Sequence, residues 1–407
     1  MRVSTLLSQQ IGVRTMATQE AKMLHTMQQL ASGKRLLTPA DDPLAAAQSV
    51  NVAQTESMNV RYGVNRGIAE QNLASEENVL NNITQALQDV LVRVIEAGNG
   101  AYSDGERRVL ANVLRESYEN LMGNANATDG NGQYIFSGDL GNVAPYDTQT
   151  GVYQGNNGER LVQVAQTRQM STGDTGLAVF SRTAPGTRTY VAEAGASNIG
   201  TGVFNRIEIV DVSAAGFGDD FDISFFQNPN DANAPLQYLI NGDPATAQPY
   251  VAGEQIVVNG INVVLSGTPS PGDSFEVSSA TNLDVQSGFS VFNTLSDLIT
   301  ALEAPTEGDP AAMANLANAL STANRKLNLH LDNVLTVRAS VGARMNELDA
   351  LSDEGSMRNM NYKAQLSSLE DVDYREASTN IAVQQVALQA AELAYMKTQG
   401  LGLFSRG

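Results

Sequence analysis

The sequence predicts a mainly α-helical protein with a β domain inserted near its middle, and three observations carry that prediction. Seven of the 12 prolines fall between Pro185 and Pro271, none lies from residue 44 to 144, and none follows Pro310. Proline removes a helical hydrogen bond and clashes with the preceding turn, so only the flanks can hold long helices. In those flanks apolar residues recur every three or four positions, the helical period. In the middle, Asn259-Gly260 sits between Gln255-Ile256-Val257-Val258 and Ile261-Asn262-Val263-Val264-Leu265, a β-hairpin signal.

The first helix spans about Thr5 to Leu30, with Val3, Leu6, Gln10, Val13, Ala17, Glu20, Leu24, Met27 and Ala31 on one stripe. Ser32-Gly33 ends it, because glycine accepts the left-handed capping conformation. Asp42 is the expected N-cap and Pro43 the first residue of a second helix reaching about Ala97, relaxed near Gly63 and Gly67. Its second half carries a heptad seam at Ala69, Leu73, Glu76, Leu80, Ile83, Leu87, Val90 and Val94. Ser103 with Glu106 forms a capping box that opens a third helix to about Met122.

Asn131-Gly132 before Gln133-Tyr134-Ile135-Phe136 reads as a turn leading into β structure. Beyond the middle, a helix from about Pro310 to Leu351 has a seam at Leu316, Leu320, Ala323, Leu327, His330, Val334, Val337, Val341, Arg344 and Leu348. A last helix is expected after Gly355, ending near Gln399. Two adjacent seams share it. One is Leu369, Val372, Glu376, Thr379, Val383, Val386, Ala390 and Leu393; the other is Tyr374, Ala377, Ile381, Gln384, Leu388, Ala391 and Tyr395. Two neighbouring seams make a wide apolar arc, which calls for partners on two sides. From Glu376 to Gly407 the only charged residues are Glu376, Glu392, Lys397 and Arg406, too few for a solvated helix.

Composition narrows the function. The chain has 407 residues, 42% hydrophobic, with 6% aromatics and no Trp. It can bury a sizeable core but is poor in the large aromatics that line enzyme pockets. The formal charge is −19, and no basic cluster exists to neutralise phosphates, so nucleic acid and anionic membranes are excluded as partners. Residues 181–285 hold 12 acidic residues against three Arg and no Lys, which marks that segment as a distinct, exposed domain. With no Cys, disulfides and thiolate chemistry are ruled out. The N-terminus lacks the apolar run of a secretory signal, and no stretch has the length of a membrane span.

The residues that could carry chemistry have plainer structural roles. His25 and His330, the two histidines, lie beside and on seams, so packing explains them better than catalysis. Asp41-Asp42 fits helix capping rather than an acid–base pair. Asp129-x-Asn131 starts like a calcium loop, but Tyr134 and Leu140 occupy the positions that need Gly and Glu. Asp219-Asp220-x-Asp222 reads as a solvated loop or strand edge. Gly216-x-Gly218 lacks the remaining glycine and the helix of a nucleotide site. No cofactor, metal or catalytic residue is expected, and the chain is not expected to be an enzyme.

An isolated helix cannot shield two apolar seams, so the chain ends must be covered either by one another or by other molecules. An intramolecular bundle is the plain alternative. At this point particular residues carry a resemblance. Ser32-Gly33-Lys34-Arg35-Leu36 with Pro39-Ala40-Asp41-Asp42-Pro43-Leu44-Ala45-Ala46-Ala47 resembles the N-terminal signature of the flagellin superfamily. Its Asp-Asp-Pro form is similar to the members at the hook–filament junction, whereas flagellins usually have Asp-Asp-Ala. Asp129 to Gly138, Tyr153-Gln154-Gly155, Gly176 to Phe180 and the closing Ala377 to Phe404 extend the likeness over roughly residues 1–180 and 286–407.

The resemblance implies an elongated subunit whose N- and C-terminal helices pair in a coiled-coil rod. Residues 1–44 and 355–407 would be the inner-tube assembly domain, 45–180 and 286–354 a helical rod with a β-hairpin region, and 181–285 an outward-facing acidic β domain. It implies a structural adaptor of the bacterial flagellum, outside the cell. Such an adaptor is exported by the type III route with an export chaperone and without a cleaved signal peptide. It binds hook-associated protein 1, flagellin and copies of itself. The expected assembly interface is Leu6, Val13, Leu24, Met27, Leu369, Val372, Ile381, Val383, Val386, Leu388, Leu393, Leu401 and Phe404. Two rivals stand beside it: flagellin itself, and a secreted enzyme or glycan-binding module in the middle domain.

Overall fold

Gly33 takes a left-handed conformation (φ 72°) and closes the first helix, α1 (Thr5–Ser32), at the predicted stop. The structure is a computed structural model that describes residues 5–227 and 234–403. Asp42 caps α2 (Pro43–Ala97): its Oδ1 accepts the Ala45 N–H at 3.1 Å. Gly63 and Gly67 do not interrupt that helix. Ser103 and Glu106 form the expected capping box on α3 (Asp104–Ala125), the Glu106 N–H donating to Ser103 Oγ at 3.3 Å and the Ser103 N–H to Glu106 Oε2 at 2.8 Å.

The C-terminal half departs from expectation at one point. The last helix does not begin at Gly355; α6 (Pro310–Glu370) continues through that residue. The break falls at Asp371 to Asp373, where Asp373 Oδ1 accepts the N–H of Arg375 (2.9 Å) and Glu376 (3.3 Å) and caps α7 (Tyr374–Leu403). Gly355 is needed for packing. The Arg66 guanidinium occupies the space of its missing side chain, with Cζ only 3.0 Å from where a Cβ would lie.

The middle is antiparallel β structure. A two-stranded sheet of β1 (Leu161–Ala165) and β2 (Arg168–Ser171) precedes a short helix, α4 (Gly176–Phe180). Eight strands then follow: β3 (Tyr190–Ala194), β4 (Val203–Ile209), β5 (Phe221–Phe226), β6 (Gln237–Ile240), β7 (Asp243–Pro249), β8 (Gln255–Val258), β9 (Ile261–Ser266) and β10 (Ser274–Ser279). They form sheets ordered β3-β10-β5-β6-β7 and β4-β9-β8. Asn259 (φ 52°) and Gly260 (φ 78°) make the predicted turn between β8 and β9. Ile207, Val263 and Ile256 share one row across the small sheet and meet Phe221, Ile223, Phe225, Phe275 and Val277 of the large sheet in one core. Helix α5 (Val291–Glu303) leads back to α6.

Residues Gln133–Phe136 do not form a strand. The Arg160 guanidinium donates to the Tyr134 oxygen and its Nε to that of Gly138 at 2.7 Å, while the Gln133 and Phe136 oxygens accept the backbone N–H of Asp129 and Gly176. Scattered backbone bonds and one side chain stand where a ladder would run.

The chain forms two compact units. One comprises Met1–Arg66, Val164–Arg168 and Asp349–Gly407; the other comprises Gly67–Gln163 and Gln169–Leu348. In the second unit the heptad seam of α2, from Ala69 to Val94, is buried throughout, as are Leu327, Val334, Val341 and Leu348 of α6. An aromatic cluster of Phe136, Tyr146, Tyr153, Phe180 and Phe292 packs edge to face or tilted, with centroids 4.8–5.6 Å apart. The sheets are keyed to α6 through buried Asn318. Its Oδ1 accepts the Phe204 N–H at 3.1 Å and its Nδ2 donates to the Gly202 oxygen at 2.9 Å.

Candidate assembly surface

In the first unit the connector after α1 and the connector before α7 are tied together. The Arg35 N–H donates to the Glu370 oxygen at 2.5 Å, and the Val372 N–H to the Gly33 oxygen at 3.0 Å. Lys34 Nζ lies 3.1 Å from Glu370 Oε2 and 3.0 Å from Asp371 Oδ1. Those bonds raise the Lys34 pKa, and Asp371, bonded by Ser367 and Lys34, is lowered. Arg35 adds two contacts: Nη1 pairs with Asp42 at 3.2 Å and Nη2 donates to the Leu369 oxygen at 2.7 Å. The Gly33-Lys34-Arg35 and Asp41-Asp42-Pro43 stretches therefore act as a clasp between the two connectors. Asp41 contributes by accepting the N–H of Leu37 and Thr38. These ions are largely exposed, so the backbone bonds fix the geometry more than the charges do.

From this clasp α1 and α7 run antiparallel against each other. Tyr374 lies beside Gly33, Gln384 Nε2 donates to Thr26 Oγ1 at 3.2 Å, and the Tyr395 ring lies against Gly12. The side of α7 turned to α1 is the second predicted seam: Ala377, Ile381, Gln384, Leu388, Ala391 and Tyr395 are partly or fully buried, whereas its first member, Tyr374, is 59% exposed. On α1 the covered residues are Gly12, Met16, Gln19, Met23, Thr26 and Leu30.

The other seam of α7 is uncovered. Val383 is 61%, Val386 66% and Leu393 57% exposed. On α1 the stripe that includes Val13, Leu24 and Met27 likewise faces outward. Of the expected interface residues, then, Val13, Leu24, Met27, Val383, Val386 and Leu393 are exposed, whereas Ile381 and Leu388 are used up in the α1–α7 pair. Leu369 and Val372 are half-buried near the clasp. The side chains of Leu6 and Leu401, and the whole of Phe404, lie outside the described residues.

More apolar surface appears where no seam was predicted. Leu44, Val50, Val60 and Val64 on α2, with Met357 and Met360 on α6, are all exposed. Val50, Val60 and Val64 share one helical face, with Ala53 and Ser57 between them. That spacing was readable but unremarkable, because its polar neighbours dilute the stripe.

The positions examined for chemistry are structural. His330 is 1% exposed and stacks on Phe289 with centroids 4.1 Å apart; among the described residues neither ring nitrogen makes a well-formed hydrogen bond, though the Ser290 backbone lies near the ring. Burial, with nearby Lys326, pushes its pKa down to about 3. His25 Nε2 lies 3.4 Å from Asp41 Oδ1 at the surface. Asp129 Oδ1 accepts the N–H of Asn131 and Gln133, closing a turn. Asp220 Oδ1 accepts from Ser279 N–H and Asn282 Nδ2.

Glu76, on the α2 seam, is fully buried. Its Oε1 accepts the Asp174 N–H at 3.0 Å, its Oε2 has no partner, and Asp174 pairs with Arg344. Burial pushes the Glu76 pKa up to about 8; the Asp174 charge adds to this and Arg344 opposes it. Among the described residues, no group of three or more His, Asp or Glu side chains is placed to hold a metal ion, and no helix is long and apolar enough to cross a membrane.

Residues 3–140 match the bacterial flagellin N-terminal helical region, and residues 326–401 match the bacterial flagellin C-terminal helical region. The flagellar hook-associated protein 3 of Salmonella typhimurium is 30% identical over 404 residues, covering 99% of each chain. The protein of the same name from Escherichia coli is also 30% identical over 404 residues, again covering 99% of each chain. Among solved structures, the crystal structure of the flagellar junction protein FlgL from Legionella pneumophila matches with a TM-score of 0.63 and 26% identity. It covers 80% of this chain and 100% of that one.

Proposed function

Because the chain belongs to the flagellar hook-associated protein 3 family, within the flagellins, we propose that it is the structural adaptor that joins the flagellar hook to the filament. Hook-associated protein 1 is its partner on the hook side, flagellin on the filament side, and further copies of the chain lie around the junction. It reaches that place outside the cell through the type III exporter, held by a chaperone beforehand and without signal-peptide cleavage. It works by geometry and adhesion rather than catalysis.

One observation carries this reading. Of the two apolar seams on α7, one is covered by α1 and the other is left open, with an open stripe on α1 beside it. Burying each exposed Val, Leu or Met there returns on the order of 1 kcal/mol, since each is already about half covered. A helical surface of that kind is stabilised when another subunit seats on it. The deciding experiment is electron microscopy of a strain lacking the chain. Hooks without filaments, with flagellin monomers in the medium, are expected. Normal filaments would sink the proposal, and loss of all filament protein would point to a flagellin instead.

A further inference from the structure

Within the first unit, Thr55, Met58, Asn59, Tyr62 and Arg66 of α2, residues 165–166, and Leu351, Glu354, Gly355, Arg358 and Tyr362 of α6 enclose a pocket of about 130 Å³. Arg66 forms its floor. The residue is only 7% exposed, its Nη1 donates to the Val164 oxygen at 2.9 Å, and its buried Nε has no hydrogen-bond partner among the described residues. The charge of Glu354 acts on Arg66, but both of its hydrogen bonds go to Arg358, at 3.1 Å to Nε and 2.5 Å to Nη2. Arg358 and Glu354 thus satisfy each other, and Arg66 is left as a cation without an anionic hydrogen-bond partner. The hydroxyls of Tyr62 and Tyr362, on the walls, make no hydrogen bond among the described residues.

Glu354 acts on this buried guanidinium only through its charge, without a hydrogen bond, and the planar fork of an arginine is shaped for a directly bonded carboxylate. Gly355 keeps that fork in place, because any side chain there would displace it. Met58 and Leu351 give the pocket an apolar wall, which lowers the local dielectric and strengthens an ion pair against it. We propose that this pocket binds a carboxylate, and that in the assembled flagellum the carboxylate comes from an acidic side chain of a neighbouring copy. The chain is a ready donor, with 44 acidic residues against 25 basic ones. The source rests on the adaptor reading; the pocket's preference for carboxylate does not.

The test uses the full chain with isotope-labelled arginine side chains, the Arg66 resonance being assigned by its loss in Arg66→Lys. Titration with acetate at constant ionic strength should shift that resonance saturably, and chloride should not. Tyr362→Phe and Arg358→Gln, which leave the Arg66–Val164 bond alone, should weaken acetate binding by about tenfold or less; Arg66→Gln should abolish it. In cells, Arg66→Gln and Tyr362→Phe should reduce the number of filaments retained on hooks while secretion of the chain is unchanged. No acetate-dependent shift, or an equal shift with chloride, overturns the site. A shift with acetate but full filament retention in both variants overturns the neighbouring copy as its source. Failure of the deletion strain to lose filaments would strike the adaptor reading while leaving the acetate result standing.

Discussion

Gly12 lies flat against the ring of Tyr395: a Cβ built on Gly12 would sit 2.8 Å from Tyr395 Cδ2. Glycine within a helix costs about 1 kcal/mol relative to alanine, so its presence mid-α1 calls for a packing reason. Close approach of α7 is that reason. Gly12→Val should separate the pair and speed hydrogen exchange of α7 amides, although it raises the bulk and stiffness of α1. Combining it with Tyr395→Ala should restore part of the protection, and unchanged exchange in the single variant would refute the contact.

The open and covered seams of α7 give opposite expectations for the same substitution. Val383→Asp or Leu393→Asp places a charge where the free chain already meets water, so its stability should stay within about 0.5 kcal/mol of the parent. Filament attachment should fail, because assembly would bury an unpaired carboxylate. Ile381→Asp, on the covered seam, should loosen the free chain itself. Circular dichroism with swimming assays separates the cases, and normal swimming of both open-seam variants would count against the assembly surface.

Glu76 predicts an alkaline loss of stability. Its folded pKa of about 8 lies above the ordinary value of 4.5, so between those values the folded chain holds a proton that the unfolded chain has released. Stability from this group therefore falls as pH rises from about 4.5 to about 8, then levels. Glu76→Gln, which mimics the protonated acid, should raise stability at pH 7 and above by roughly 2–4 kcal/mol. Melting curves at pH 5 and pH 8.5 should show the gain only in the second.

His330 predicts the opposite slope on the acid side. Its pKa of about 3 lies below the ordinary 6.5, so the unfolded chain takes up a proton first on acidification. Stability from this residue is complete above 6.5 and is lost as pH falls toward 3. His330→Leu should flatten that decline, and because neither ring nitrogen makes a well-formed hydrogen bond among the described residues it should cost little at neutral pH. A steeper acid decline in the variant would contradict the assignment.

The sequence was most informative where burial is periodic. The α2 seam from Ala69 to Val94 is buried at every predicted position, since heptad spacing alone decides which residues share a face. Capping was legible for the same local reason, at Asp42, Ser103 and Gly33. Three features were not legible because they depend on residues distant in the chain. Gly355 looked like a helix end, yet it makes room for Arg66, 289 positions earlier. Gln133–Phe136 reads as a strand, yet its carbonyls go to Arg160 and to the backbone N–H of Asp129 and Gly176.

The third concerns α1. Its apolar stripe through Val13, Leu24 and Met27 was visible, but α7 covers the more polar side with Gln19 and Thr26. Period locates the stripes on a helix and not the neighbour that chooses between them. The division of candidate residues into open and covered sets therefore required the fold.

The central claim is that the open seams are covered by other subunits in the flagellum. The chain has no cysteine, so Val383→Cys and Leu393→Cys each supply a single thiol whose reaction with a maleimide reports exposure. Both should label quickly in the free chain and resist labelling in intact flagella attached to hooks. Equally rapid labelling in both states would contradict the claim.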